Sequence, residues 1–278
     1  MSRYNGKIPV VFIHRGDGET YLECVIKQAK SFDNPVVLIG DKSNKKFSSI
    51  AEHQLISGFS YYSKKFEDVY VPLSTHGDYE TFCFQRWFVL YEWMKRKNVD
   101  KCFYLDSDVL FYANTNEEAE KYKYFDFTLA HRCCGHASYF TYNGLRTFCK
   151  FLFETYVERG FDYDKIASHW ELHKKYNRTG GVCDMTLFEY FARYKNPGGV
   201  AETMHIINDS TYDHCINQAD YNYEMVNGLK NIQFKDGIPY CRQLQYDKLI
   251  RFVALHCQGG CKGLIPKYYE IGLNTRNK

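Results

Sequence analysis

The chain has 278 residues, 45% hydrophobic and 25% charged, values that fit a globular fold and exclude a disordered, collagen-like or fibrous chain. Lys+Arg 36 against Asp+Glu 33 leaves +3, too weakly basic to argue for a nucleic-acid partner. The length permits one large domain or two small ones, with a core that needs neither disulfide nor metal as a staple. The aromatic share is 18%, with 25 Tyr and 21 Phe; it reads first as a large aromatic core and second as stacking surface for a ring-shaped ligand.

The first apolar run, Ile8 to Ile13, is too short for a signal-peptide core and contains Pro9. No stretch approaches the roughly 18 uncharged apolar residues of a membrane span. Eleven cysteines is an odd number, irregularly spaced, and fits reduced thiols in a cytoplasmic protein. The sequons at Asn177 and Asn208 are then chance matches.

Strand and helix signals alternate through the first half. Ile8 to Ile13 and Val36 to Ile39 are continuous apolar runs suited to strands buried on both faces. Between them Thr20 to Lys30 reads as a helix with Leu22, Val25, Ile26 and Ala29 on one face. Asp68 to Leu73 reads as a third strand, Tyr79 to Lys97 as a long helix, and Cys102 to Leu105 as a fourth strand ending in Asp106-Ser107-Asp108. This rhythm predicts an α/β fold with a doubly wound, mostly parallel sheet. Such sheets bind ligands beyond the carboxyl ends of their strands, where His14-Arg15, Gly40-Asp41 and Asp106-Ser107-Asp108 fall. The second half is more mixed. Strands are expected at Phe127 to Ala130, Ser138 to Thr141 and Arg251 to Leu255, and helices at Asn143 to Glu158 and Asp184 to Tyr194. Ile232 to Tyr240 reads as a hairpin turning at Asp236-Gly237.

Two carboxylates one residue apart at the end of a buried strand can turn toward one point. A hard divalent cation wants such oxygen ligands and leaves room for substrate phosphates. The plainer reading is a polar strand end entering a turn. Apolar flanks, Phe103 to Leu105 and Val109 to Tyr112, favour the former, because paired buried carboxylates need a cation or one takes up a proton. His256, after the late strand, can project into the same cleft as a third ligand. In the stretch that follows, Gly259 and Gly260 permit close backbone approach, and Lys262 supplies a point charge for phosphate.

These two pieces resemble the GT-A fold glycosyltransferases. Phe103-Tyr104-Leu105-Asp106-Ser107-Asp108 is similar to their metal-binding signature, and His256-x-x-Gly259-x-x-Lys262 to an element of several of their families, the glycogenin-like retaining ones included. Gly263 stands where a proline usually follows the lysine. The resemblance runs from Ile8 to Lys262. It implies a single GT-A (Rossmann-like) domain over 1–278, with residues 1–112 the nucleotide-binding half and 113–278 the acceptor-binding half. It further implies Mn²⁺ or Mg²⁺ on Asp106, Asp108 and His256, and a nucleotide-sugar donor, by family habit a UDP-sugar, with a glycan acceptor. His14, Arg15, Asp41, Arg86, Asp106, Ser107, Gly259 and Lys262 would contact that donor. Arg86 sits on an otherwise largely apolar helix and needs an anionic partner: either the donor or Asp106, or a structural ion pair. Asp184 opens a helix after Gly180-Gly181, and the helix dipole stabilises it as an anion. It is similar to the acceptor-side acid of inverting members, a general base for the acceptor hydroxyl; the plainer reading is an ordinary helix N-terminal Asp. The lack of an anchor with a reduced cysteine set resembles the cytoplasmic glycosyltransferases of bacteria and large algal viruses more than Golgi ones.

Other features are weaker. His169 and His173 lack the glutamate of a zinc protease helix and read as exposed helix histidines. His131, Cys133, Cys134 and His136 are spaced too tightly for a zinc site from one segment and read as a loop lining the sugar site, with His136 or Ser138 near the donor. No phosphate loop or dinucleotide fingerprint follows the first strand. The alternatives are a retaining transferase of the same fold, a sugar nucleotidyltransferase, and a non-enzymatic carbohydrate-binding protein.

Overall fold

A computed structural model of the chain describes residues 3–17 and 20–276. Among the described residues, fourteen strands and eight α-helices follow in order. The first half holds β1 (Val10–His14), α1 (Thr20–Lys30), β2 (Val36–Gly40), β3 (Glu52–Leu55), α2 (Tyr61–Glu67), α3 (Gly77–Lys97), β4 (Lys101–Leu105) and β5 (Val109–Phe111). Then come α4 (Thr115–Ala119), β6 (Phe127–Leu129), β7 (Ala137–Thr141), α5 (Tyr142–Glu158), α6 (Phe161–Lys175), α7 (Asp184–Tyr190), β8 (Val200–Glu202) and β9 (Ser210–Tyr212). The chain ends with β10 (Met225–Val226), β11 (Leu229–Lys230), β12 (Gln233–Lys235), β13 (Ile238–Gln243), β14 (Lys248–His256) and α8 (Ile265–Arg276).

The main sheet has the order β3-β2-β1-β4-β7-β6-β8. Every neighbouring pair is parallel except the two made by β7. Its alternation explains why both faces are covered. On β1, Val10 and Phe12 join one hydrophobic cluster with Leu22, Val25 and Ile26 of α1. Val11 and Ile13 join another with Phe84, Trp87 and Leu90 of α3. Period 2 in the strand thus meets period 3.6 in a helix on each side, which is the doubly wound α/β arrangement expected from the sequence. The aromatic surplus lies largely in these cores: Trp87, Trp93, Tyr104 and Phe84 are among the largest fully buried side chains.

The second sheet is antiparallel, β12-β13-β14-β5, with β9 added parallel to β14. Asp236 and Gly237 both take positive φ, as a two-residue turn of the expected hairpin requires. The cluster built on β1 and α1 also contains Phe252, Ala254 and Leu255 of β14, so the two halves of the chain share a core.

One predicted element is absent. Asp68 to Leu73 is not a strand; the third parallel strand is β3, Glu52–Leu55. As a sheet edge, β3 is only part buried and carries Glu, His and Gln, so the hydrophobic pattern does not announce it. Leu73 and Ser74 instead run beside Gly180 and Gly181. Val182 N donates to Leu73 O at 2.8 Å, and Ser74 pairs with Gly181. A Cβ at Gly181 would stand 2.3 Å from Leu73 O, so only glycine permits this approach. The helix expected at Asp184 to Tyr194 is α7 followed by a wider π turn over Phe191–Lys195.

Candidate active site

Asp106-Ser107-Asp108 is the turn by which the chain leaves one sheet and enters the other. Asp106 N donates to His136 O at 2.7 Å, and Val109 N donates back to Asp106 O at 3.1 Å. β5 then pairs antiparallel with β14, setting Val109 opposite His256, and Cys257 N donates to Asp108 O at 3.0 Å. Sheet register therefore joins stretches of chain about 150 residues apart. The Asp108 carboxylate lies 3.4 Å from His256 Nε2 and 3.4 Å from Lys262 Nζ. Burial works to raise its pKa, but His256 and Lys262 hold it down to about 2. The Lys262 ammonium is pushed the other way: burial lowers its pKa, and the Asp108 charge more than offsets that.

His256 is clamped from behind. Its Nδ1 lies 2.6 Å from the His214 carbonyl oxygen. A carbonyl only accepts, so a ring proton sits on Nδ1, and Nε2 is the nitrogen turned to Asp108. Its backbone N donates to Asp213 Oδ2 at 3.1 Å, and the His136 ring stacks on it at 4.1 Å, 11° from parallel. Ligand atoms of Asp106, Asp108 and His256 all lie within 4.8 Å of one another. Two carboxylates and an imidazole with a fixed tautomer are a donor set that fits Mn²⁺ or Mg²⁺.

Arg86 joins this cluster to the acid at the start of α7. One guanidinium nitrogen donates to Asp106 Oδ1 at 2.7 Å and the other to Asp184 Oδ2 at 2.8 Å. Asp106, the protein partner anticipated for Arg86, is thus met, and Asp184 is a second that was not. Tyr104 OH also donates to Asp106 Oδ1, at 2.6 Å, and Trp87 Nε1 to Asp184 Oδ2, at 2.9 Å. Asp184 is 3% exposed, and its other oxygen accepts from Met185 N. Beside it on α3 is Glu80, also buried, whose carboxyl is pushed up to about 7 by burial and by the Asp184 charge, with Arg86 pulling the other way.

The ends of β1 and β2 are laced together. Asp41 Oδ2 accepts from Gly16 N at 2.8 Å. The fully buried Asn44 accepts from Asp41 N at 2.9 Å and donates to Gly16 O at 2.7 Å. Arg15 donates to Gln85 Oε1 and lies 4.2 Å over the Phe82 ring; His14 ends β1 beside it. Gly259 has φ +58 and opens the short 3-10 helix Gly259–Leu264 that carries Lys262. Ser107 is half-buried in the turn between the two acids.

The sugar-lining role expected of His136 and Ser138 is not what their placement gives. Ser138 is fully buried, and His136 is 1% exposed with its ring against His256. Both belong to the wall behind the site, because β7 pairs directly with β4. His214, Asn44 and Glu80 carry no sequence signal: each matters through what the fold brings to it.

No family model matches the chain, and no curated protein matches it. Solved structures do. The galactosyltransferase LgtC in complex with donor and acceptor sugar analogues is 11% identical, with 96% of each chain covered and a TM-score of 0.45. A glycosyltransferase involved in glycosylation of the major capsid of PBCV-1 is 9% identical, covering 95% of this chain and 99% of that one, with a TM-score of 0.42. The glycosyltransferase GlyE of Streptococcus pneumoniae TIGR4 is 13% identical, covering 96% and 62%, at 0.43. These likenesses add nothing on donor, acceptor or site residues. All eleven cysteines are free thiols, and no helix among the described residues is long and apolar enough to cross a membrane.

Proposed function

We propose that this protein is a metal-dependent glycosyltransferase that moves a sugar from a nucleotide-diphosphate donor to a hydroxyl of a glycan acceptor. The observation that carries the reading is the meeting of Asp106, Asp108 and His256, with Lys262 beside them, at the carboxyl end of β4. Those three residues would hold Mn²⁺ or Mg²⁺. A cation bound there supplies positive charge against the two phosphates of the leaving nucleotide. Lys262 adds a second charge on the same side, where the departing oxygen gains negative charge. The short helix opened by Gly259 and the turn at Ser107 offer backbone to the donor. His14, Arg15 and Asp41, at the ends of the first two strands, face the nucleoside, taken as uridine by family resemblance. The sugar is glucose, galactose or xylose. Residues 1–112 supply the nucleotide half of a single domain and 113–278 the acceptor half.

In the inverting form of the reaction, the acceptor oxygen bonds to the anomeric carbon as the bond to the diphosphate oxygen breaks. Asp184 takes the hydroxyl proton. One observation favours the retaining alternative. Asp184 already accepts from Arg86 and Trp87 on one oxygen, and protonating it would strip a buried guanidinium of a partner. In that second reading Arg86 and Asp184 orient the donor sugar and neither removes the proton.

Incubation with nucleotide sugars and Mn²⁺ tests the reading. Released nucleoside diphosphate supports transfer, whereas pyrophosphate would mean a nucleotidyltransferase. No turnover of any donor would favour a carbohydrate-binding protein. The anomeric configuration of the product by NMR separates inversion from retention.

A further inference from the structure

A second set of metal-ligating side chains lies behind His256. His131 follows β6, His214 follows β9, and Asp220 lies on the loop after it; their ligand atoms fall within 4.8 Å of one another. The imidazoles of His131 and His214 are 4.6 Å apart, 85° from parallel. Edge-to-face imidazoles beside a carboxylate are a common way to surround one ion, and two nitrogens with one oxygen suit Zn²⁺ better than Mg²⁺ or Ca²⁺.

Two further observations point to a cation. The first is orientation. His214 Nδ1 lies 3.1 Å from Gln218 Oε1. An amide oxygen only accepts, so the proton sits on Nδ1 and Nε2 keeps its lone pair; a hydrogen-bonded far nitrogen is the usual support of a metal-bound histidine. The second is charge. Lys230 is 2% exposed, with its ammonium 2.7 Å from Asp213 and 3.2 Å from Asp220. One buried positive charge thus serves two carboxylates. Asp213 is fully buried and takes the shorter contact, while Asp220 holds the same ammonium with its two oxygens at 3.3 and 3.2 Å, so the pair of carboxylates keeps one net negative charge beside the imidazoles.

We propose that His131, His214 and Asp220 form a second divalent-metal site of the Zn²⁺ class, with a fourth position open to water or substrate. It stands on its own residues and does not depend on the glycosyltransferase reading. The same residue links the two sites, because the His214 carbonyl accepts the His256 Nδ1 proton. A metal on the His214 ring would therefore stiffen the backbone that sets the His256 tautomer.

Co²⁺ serves as the probe, since its visible absorption is strong when tetrahedral and weak when octahedral. The full chain carrying Asp106→Ala and Asp108→Ala is titrated first, so that the first cluster is disabled. The proposal expects one equivalent of Co²⁺ to bind with a tetrahedral-type spectrum, displaced by Zn²⁺. Adding His131→Ala, at an exposed position, should abolish that band while circular dichroism stays unchanged; His214→Gln should do the same. A band that survives both substitutions, or no bound Co²⁺ in the starting variant with its fold intact, would overturn the site. Loss of sugar transfer has no bearing on this outcome, so the two readings fail separately.

Discussion

Nε2 of His256 lies 3.4 Å from Oδ1 of Asp108, although the two residues are far apart in the chain. The antiparallel pairing of β5 and β14 makes this contact, because it sets His256 opposite the residue that follows Asp108. A strand from mid-chain and one near the C-terminus thus build one ligand set.

Asp108→Ala should abolish transfer and metal-dependent donor binding. Asp108→Asn keeps the shape but removes the charge that faces His256 and Lys262, and should also lose Mn²⁺ affinity. The loss of Mn²⁺ affinity in both variants is read by calorimetric titration of Mn²⁺ into the free protein. Unchanged affinity in both variants would place the cation elsewhere.

Arg86→Met should destabilise the fold by about 3–5 kcal/mol, because Asp106 and Asp184 lose the guanidinium between them. The paired change Arg86→Met with Asp184→Asn removes one of the stranded charges and should recover part of that loss. Urea unfolding of the three proteins measures it. Equal stability of wild type and Arg86→Met would mean that the bridge contributes nothing.

Glu80 gives a pH dependence with a definite sign. Its carboxyl titrates at about 7 in the folded chain, against an ordinary 4.5, because burial and the Asp184 charge disfavour the anion. Between those values the folded state holds a proton that the unfolded state has released. Its contribution to stability is therefore present below about 4.5 and lost as pH rises through about 7. Glu80→Gln should flatten that part of the stability–pH curve and gain stability relative to wild type above it. Denaturation at several pH values checks this; parallel curves would contradict it.

Asn44→Ala should cost about 0.5–1.5 kcal/mol, since it removes the partner of the Asp41 amide and leaves the exposed Gly16 carbonyl only the Ser43 hydroxyl at 3.2 Å. It should also weaken nucleotide binding by loosening the loop after β1. Thermal unfolding with and without UDP reads both. An unchanged shift on adding UDP would remove the laced loops from the nucleotide site.

Much of this was legible in the sequence, for identifiable reasons. β1, β2 and β4 are continuous apolar runs because both faces of their sheet are covered, so their pattern shows without any partner. β3 was misplaced to residues 68–73 because an edge strand needs no apolar face, whereas Val69, Tyr70 and Leu73 pack into the core without pairing. Asp106, Asp108, His256 and Lys262 stood out because carboxylates and a glycine-flanked lysine at strand ends are unusual company. The Arg86–Asp184 bridge was half visible: a charge on an apolar helix demands a partner, but its spacing cannot say which. Asn44, Glu80 and His214 were silent, because a buried amide, a buried acid and a backbone carbonyl gain meaning only from neighbours that the fold supplies.

The most direct test of the central claim is calorimetric titration of UDP into the full chain, with and without Mn²⁺, for wild type and for His256→Ala. The account predicts tight UDP binding by wild type only when Mn²⁺ is present, and loss of that metal dependence in His256→Ala. Equal UDP affinity with and without Mn²⁺ in wild type would contradict it.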